Sequence, residues 1–426
     1  MAITLTLTAL ADGSGVDLDA YLAAQFDGFT PYQFPVFLAA DAAETTQILH
    51  LDTPTAGAEA DTRIVLLEGS DFTYTFSNHS VSGTIDQIRL GTLGAAWDDA
   101  ASDLALDADG RVGEMGEVVT ISNLGIVNAV GVKGDVHEIV SGMMGGGPDG
   151  LTADADPILA AIYGTAHELI GSTGHDRWTG TAFADVAFGG DGRDTLDGGD
   201  GADALSGGAW ADLLLGGQGA DTLRGQRGDD RLEGHKGYDL LFGNAGADTV
   251  LGGDGDDALY GGGDDDLLLG GQGADALYGG QGRDRLEGGK GYDMLSGGIG
   301  NDTLLGQLGQ DTLYGGAGDD LLIGGAHDDV MTGGAGADTF RFLSLDEMQG
   351  DRITDFETGV DLLDVSAIDG LAFIGGAAFS GGAGELRAEV SGGQTLLLAD
   401  LDGDGAADVQ MALDGAPVLT ADDFLV

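Results

Sequence analysis

The chain has 426 residues, 16 of them basic and 73 acidic, for a formal net charge of −57. That sign excludes nucleic acid and anionic membranes as partners and favours cations, while a 42% share of hydrophobic residues with acids spaced rather than blocked argues against permanent disorder. Its 81 glycines follow no three-residue period and it has no cysteine, which excludes collagen, disulfides and thiolate metal sites.

Residues 1–165 read as an α+β domain. Ile3, Leu5 and Leu7 alternate with Thr4, Thr6 and Thr8, which predicts a strand over 2–8. This start has neither a basic n-region nor an unbroken apolar run, so it is not a Sec signal peptide. Nowhere does an apolar run approach the ~18 residues of a membrane span. Further strands are expected at 62–67, 71–77 and 84–90. Helices are expected at 17–26, at 134–144 and from Pro157 to Tyr163, where the proline suits a first helical position.

Three stretches of this domain share a common likeness. They are Tyr21-Leu22 to Phe26, then Asp71-Phe72-Thr73-Tyr74-Thr75-Phe76-Ser77-Asn78-His79 through Gly83, then Val136-His137-Glu138-Ile139-Val140-Ser141-Gly142-Met143-Met144 followed by Ile162-Tyr163-Gly164. In order and spacing they resemble the HasA-type hemophores, secreted haem-capturing proteins with an antiparallel sheet and helices. The resemblance implies haem b as cofactor, with Tyr74 as an axial ligand; a phenolate is a hard anion suited to ferric iron. It makes His79 the partner that hydrogen-bonds the tyrosine oxygen, and a cell-surface haem receptor in the outer membrane the recipient. Without those flanking matches, Tyr74 is an ordinary strand tyrosine and His79 an exposed loop histidine. The loop Phe26-Asp27-Gly28-Phe29-Thr30-Pro31-Tyr32-Gln33-Phe34 lacks the second axial histidine common in the family. Tyr32 or Gln33 then approaches the open face, or the iron is five-coordinate. Phe29, Tyr32, Phe34 and Phe37 either pack on a porphyrin or form plain core.

Residues 171–341 divide into nineteen nine-residue blocks without an insertion or deletion. Each begins with Gly, carries Asp at its sixth position and an apolar residue, mostly Leu, at its eighth. Gly270-Gly271-Gln272-Gly273-Ala274-Asp275-Ala276-Leu277-Tyr278 is representative. The spacing predicts a six-residue turn, Gly-Gly-x-Gly-x-Asp, and a three-residue strand with its middle side chain inward. Two blocks make one coil of a right-handed parallel β-roll, with turns stacked in two columns and strands ~4.8 Å apart. Neighbouring carboxylates at that spacing repel by ~0.8 kcal/mol in water and ~3 kcal/mol at an effective dielectric near 20. A Ca²⁺ between turns reverses the sign, since it takes six to eight hard oxygens. A Gly/Asp-rich linker, the bland alternative, has no reason to keep nineteen aspartates in phase.

This pattern resembles the RTX nonapeptide repeats of proteins exported by Gram-negative type I secretion. The resemblance implies Ca²⁺ ligation by Asp194, Asp203, Asp221, Asp230, Asp239, Asp248, Asp257, Asp275, Asp284, Asp293, Asp302, Asp311, Asp320 and Asp338. Blocks one and two, with Ser172, Thr173, Thr181 and Phe183 at unusual places, are expected to cap the coil with a weak ion or none. Trp210, Asp264 and His327 replace the fourth-position glycine, so their blocks stand outside the ligand set. Residues 216–260 resemble 270–314 block for block, a 54-residue duplication.

Residues 342–426 leave the nine-residue phase. Asp351-Arg352-Ile353-Thr354-Asp355-Phe356, Gly359-Val360-Asp361-Leu362-Leu363-Asp364, Phe379-Ser380-Gly381 and Gly384-Glu385-Leu386-Arg387 resemble the domain that follows the repeats in serralysin-type proteases. The ending Asp423-Phe424-Leu425-Val426 resembles that family's uncleaved export signal; it also fits a strand capping the roll. Type I secretion machinery is thus an expected partner and the extracellular space the expected location. Asp400, Asp402, Asp404 and Gly405 match the start of an EF-hand loop, but Met411 stands where a bidentate Glu is required, leaving a one-sided loop. His137-Glu138 and His167-Glu168 are half-motifs of a zinc protease without a second histidine, and no Gly-x-Ser-x-Gly elbow or P-loop occurs. The expectation is a non-enzymatic protein: a haem-binding head, a calcium roll and an export tail. The alternative is a structural or adhesive surface protein whose head has lost the ligand.

Overall fold

The computed structural model describes residues 166–415 and 417–425, and within 1–165 the backbone of its strands. It comprises two compact units, Met1–Ala204 and Leu205–Val426.

In the first unit, Val36–Leu38, Thr45–Leu51, Arg63–Thr75, Ser80–Thr92, Gly116–Asn128 and Ile3–Leu7 pair in that order, each antiparallel to the next. The strands expected at 62–67 and 71–77 are one strand, Arg63–Thr75, broken only by register shifts near Glu68/Gly69 and Ser70/Thr73. Bulges at these shifts carry the strand through the interval expected to separate the two. Five strands were not expected: Val36–Leu38, Thr45–Leu51, Gly116–Asn128 and the short antiparallel pair Trp97–Asp98 and Asp103–Leu104. The helices expected at 17–26, 134–144 and 157–163 lie outside the described residues, as do Tyr32, Gln33 and His79.

Ile3–Leu7 then pairs in parallel with His167–Ile170, which pairs in parallel with Val186–Asp191. The coil therefore starts before residue 171. Leu169 faces Ala187 and is fully buried, so it holds the eighth position of a block that has no glycine signature. The half-motif at His167-Glu168 is thus on a strand, where no second histidine can share a helix face with it.

Within Leu205–Val426 the coil is regular. Leu267–Gln272 pairs in parallel with Arg285–Gly291, Leu268 opposite Leu286 and Gly271 opposite Gly289. Ala258–Gly263 pairs likewise with Ala276–Gln281 in the second sheet. Partners are eighteen residues apart, so two blocks do make one coil. The division of the block differs from the expected one: strands run six residues, from the seventh position through the next block's third, and the turn keeps only Gly-x-Asp. The glycine pair stays in the strand because it joins the parallel ladder; Gly271, at φ +116, could carry a Cβ only 2.3 Å from the carbonyl oxygen of Gly253 in the preceding coil.

Alternation does the rest. Eighth-position residues from Leu214 to Leu322 are 0% exposed, followed by Met331 and Phe340. Seventh- and ninth-position residues face outward. The roll core is one apolar side chain per block, stacked in two files.

Beyond residue 341 the nine-residue phase is lost, as expected, but two further strands still stack in parallel on the coil. Arg352–Ile353 pairs with Val330 and Met331, and Leu362–Asp364 with Thr339 to Arg341. Between them a short helix, Leu345–Met348, is N-capped by Ser344. Glu385–Ser391, Gln394–Asp400 and Val409–Asp414 form an antiparallel meander, which Ala412 and Leu413 join to Arg352–Ile353. Phe424–Leu425 pairs with Leu363–Asp364. Among the described residues no helix is long and apolar enough to cross a membrane.

Replacing Leu268 by Ala should lower stability by ~2–5 kcal/mol, because the void has two stacked neighbours and cannot collapse. Leu269→Ala, on the outward face of the same strand, should change it by under ~1 kcal/mol. Thermal melts of the calcium-saturated variants check the contrast.

Candidate metal centre

The sixth-position aspartates are the buried charges of the roll. Asp221 to Asp338 are each between 1% and 3% exposed, although they sit in the turns. Burial follows from how the turn closes. The Oδ1 atom of each carboxylate accepts from the backbone N–H of the aspartate one coil earlier, as Asp266 does from Asp248 and Asp284 from Asp266, both at 2.9 Å or less. The carboxylate thus lies across the Cα of its own block's first glycine. A Cβ on Gly270 would stand 2.5 Å from Asp275 Oδ2, which is why that position admits no side chain.

The second oxygen has no such partner. The Oδ2 atoms of Asp230, Asp239, Asp248, Asp257, Asp266, Asp275, Asp284, Asp293, Asp302, Asp311, Asp320, Asp329 and Asp338 are buried and accept no hydrogen bond. A buried, unmet carboxylate oxygen carries a heavy desolvation cost. Burial pushes these groups up, backbone hydrogen bonds pull them part of the way down, and neighbouring carboxylates push them up again. The result is about 8 for Asp266, about 7 for Asp239, Asp248, Asp275, Asp320 and Asp329, and about 6 for Asp230, Asp284 and Asp293. Hard, anionic, orphaned oxygens in columns are what an oxygen-seeking divalent cation requires, so the residues fit calcium.

The ends of the roll supply the contrast. In the first two blocks Asp176 Oδ2 accepts from the Ser172 N–H and Asp185 Oδ2 from the Thr181 N–H, both at 2.6 Å, with the two hydroxyls adding further bonds. Beyond the repeats, Asp351 takes the place of a sixth-position aspartate and accepts from the Asp329 N–H at 2.8 Å. Its Oδ2 is orphaned, and burial, with Asp329 beside it, raises it to about 9. Asp361 does the same for the Asp338 N–H, but the Glu357 N–H satisfies its other oxygen at 2.8 Å. Asp423 likewise accepts from Gly359 and from Thr420. Protein donors thus seal Asp176, Asp185, Asp361 and Asp423, whereas the second oxygens from Asp230 to Asp338, and that of Asp351, are unmet.

Several of these residues were missed from sequence. Asp266 and Asp329 lie in blocks whose fourth glycine is replaced, yet their carboxylates are arranged like the rest. The replacing residues adopt positive φ themselves, +75° at Asp264 and +89° at His327, against +136° at Gly273. Asp212 follows the same pattern beside Trp210 at φ +82°, its N–H donating to Asp230 Oδ1. The signal for Asp351 and Asp361 was present as Asp-x-Ile and Asp-x-Leu, hidden by the lost nine-residue phase.

The other sequence candidates separate. Asp400, Asp402 and Asp408 converge within 4.8 Å, Asp408 filling the loop's ninth position. Both oxygens of buried Asp400 are already taken by Gly403 and Gly405 N–H groups, and Met411 at position twelve points into the core. Tyr74 lies near the end of Arg63–Thr75, opposite Val81, and Thr75 faces Ser80 across the connection that carries His79.

The sign of the pH effect follows from the raised values. A carboxyl near 7 in the fold and 3.8 outside it favours the fold only when protonated, so this contribution is full below about pH 4 and lost as pH rises through 6–8. In the absence of calcium, amide protection factors in the roll, exchange rates corrected for the intrinsic pH dependence, should be larger at pH 5.5 than at pH 8. In equilibrium dialysis, Asp266→Asn should cost about one or two bound Ca²⁺, because each carboxylate faces two turns. Asp185→Asn should cost none.

Similarity to known proteins agrees with this geometry where it is informative. The RTX calcium-binding nonapeptide repeat family matches residues 179–209, 206–241, 242–277, 278–313 and 305–340. No curated protein matches the chain. Among solved structures, the apo hemophore HasA from Yersinia pestis is 20% identical, with a TM-score of 0.27 over 38% of this chain and 86% of that one. The AlgE6R3 subunit of the Azotobacter vinelandii mannuronan C5-epimerase is 32% identical, with a TM-score of 0.22 over 41% of this chain and 80% of that one. The extracellular lipase LipA from Serratia marcescens is 16% identical, with a TM-score of 0.20 over 51% of this chain and 40% of that one. At such TM-scores none of the three fixes a fold or an activity for this chain. The repeat match does fix the character of the coil: residues 179–340 are RTX calcium-binding nonapeptide repeats folded as a parallel β-solenoid.

Proposed function

We propose that the chain is a non-catalytic protein secreted by a type I system, whose roll folds when extracellular Ca²⁺ enters the two turn columns. The orphaned Oδ2 file from Asp230 to Asp338 carries this reading. Each oxygen is buried by the fold and satisfied by nothing in it, so the fold lacks part of its own bonding until a cation arrives. Asp194, Asp203 and Asp221, with those thirteen aspartates, are the proposed ligands. Asp351 extends the file by one turn. In a low-calcium cytosol the chain stays extended for export, and outside the cell binding energy becomes folding energy.

For the head we propose capture of ferric haem b, with Tyr74 as axial ligand and His79 holding its phenolate. Tyr32 or Gln33 faces the open side, and the haem passes to an outer-membrane receptor. Support comes from the three hemophore-like stretches and from the place of Tyr74 near the end of a strand, opposite Val81. The missing loop histidine favours a second reading, an adhesive or structural surface protein with a ligand-free head.

Two experiments test this. Limited proteolysis should cut the roll within minutes in EGTA and spare it in millimolar Ca²⁺; equal resistance in both would contradict calcium-gated folding. Hemin added to the calcium-loaded chain should give a tyrosinate-type Soret and charge-transfer spectrum that disappears in Tyr74→Ala. Identical titrations of wild type and variant would leave the adhesive reading.

A further inference from the structure

On the outer face of one sheet the ninth-position side chains form a ladder. The Arg224 guanidinium lies 5.0 Å from the Phe242 ring centre. Phe242 stacks on Tyr260 at 4.9 Å and 14°, and Tyr260 on Tyr278 at 4.8 Å and 9°. Ring spacing here equals strand spacing, so each coil contributes one rung. The next coil breaks the ladder. Tyr278 faces Ser296 in register, and Ser296 faces Tyr314. Tyr314 is 44% exposed, whereas Tyr260 and Tyr278 are half-buried in the stack.

Two strand spacings separate the strand carrying Tyr278 from that carrying Tyr314, ~9.6 Å. A ring stacked on both sides at 4.8–4.9 Å, as in the ladder, needs about 9 to 10 Å between its neighbours. The duplication shows that the opening suits such a ring. Residues 54 apart correspond, so Ser296 stands where the first copy has Phe242, which sits between Arg224 and Tyr260. The floor carries only a serine hydroxyl. Beside it on the same strand lie Met294, 36% exposed, and Gly298, which has no side chain to fill the space.

We propose that the gap over Ser296, between Tyr278 and Tyr314, is a binding seat for one planar aromatic ring of a small molecule, neutral or cationic. The ring supplies the missing rung, with its faces against the two tyrosines and a polar substituent within reach of the Ser296 hydroxyl. A chain with a net charge of −57 disfavours anionic aromatics. The seat is independent of haem capture and requires only the folded roll.

The test uses the full chain in saturating Ca²⁺, with 4-methylphenol as probe and calorimetry or saturation-transfer NMR as readout. Wild type should bind saturably. Ser296→Phe, which rebuilds the rung from within, should weaken binding at least tenfold and raise the melting temperature. Tyr314→Ala should also weaken it tenfold, while Tyr238→Ala, a lone turn tyrosine 70% exposed, should leave it unchanged. Unsaturable binding, or equal binding by wild type and Ser296→Phe with circular dichroism confirming a folded roll, would overturn the seat. Binding of a neutral disaccharide in place of 4-methylphenol would overturn its aromatic specificity.

Discussion

Each sixth-position carboxylate from Asp230 to Asp338 spends one oxygen on a backbone N–H of the coil before it and has no partner for the other. That half-met group ties the fold to its ion. The first oxygen sets the register, because it bonds across eighteen residues and nowhere else. The second sets the condition for stability, because burial without a cation or proton leaves charge beside charge at strand spacing. The apolar files of Leu could not offset this by themselves, as each coil buries only two core side chains.

The ends show how the chain limits the arrangement. Ser172 and Thr181 replace glycine at the second position of their blocks and donate to the carboxylates there. Glu357 and Thr420 close the other end with backbone donors. A growing coil therefore has finished boundaries. The meander and the strand Phe424–Leu425 cover its last turn, so the residues that resemble an export signal are structural once folded, with Asp423 and Phe424 buried.

Much of this was legible in the sequence, since a strict period writes the same physics nineteen times. Coil length, inward Leu and the aspartate column follow from spacing alone. The strand–turn division did not, because Gly-Gly reads as a turn by conformational freedom while its actual role is to let adjacent coils approach closely. Asp351 and Asp361 escaped because insertions move them to 22 and 23 residues from their partners. Asp266 and Asp329 escaped because a side chain at the fourth position looked prohibitive, while the backbone accepts it at a smaller positive φ. In the head, alternation located Ile3–Leu7 and part of Arg63–Thr75, but Ser122-Asn123 and Gly125 interrupt the apolar pattern of Gly116–Asn128 and hid it.

The central claim concerns the coupling of cation and fold, and a calcium titration of the EGTA-treated chain followed by far-ultraviolet circular dichroism at pH 7.5 measures it most directly. A steep, cooperative rise from a coil spectrum to a β spectrum, reversed by chelator, is what the half-met carboxylates predict. A β spectrum already complete in EGTA and unchanged by millimolar Ca²⁺ would contradict them.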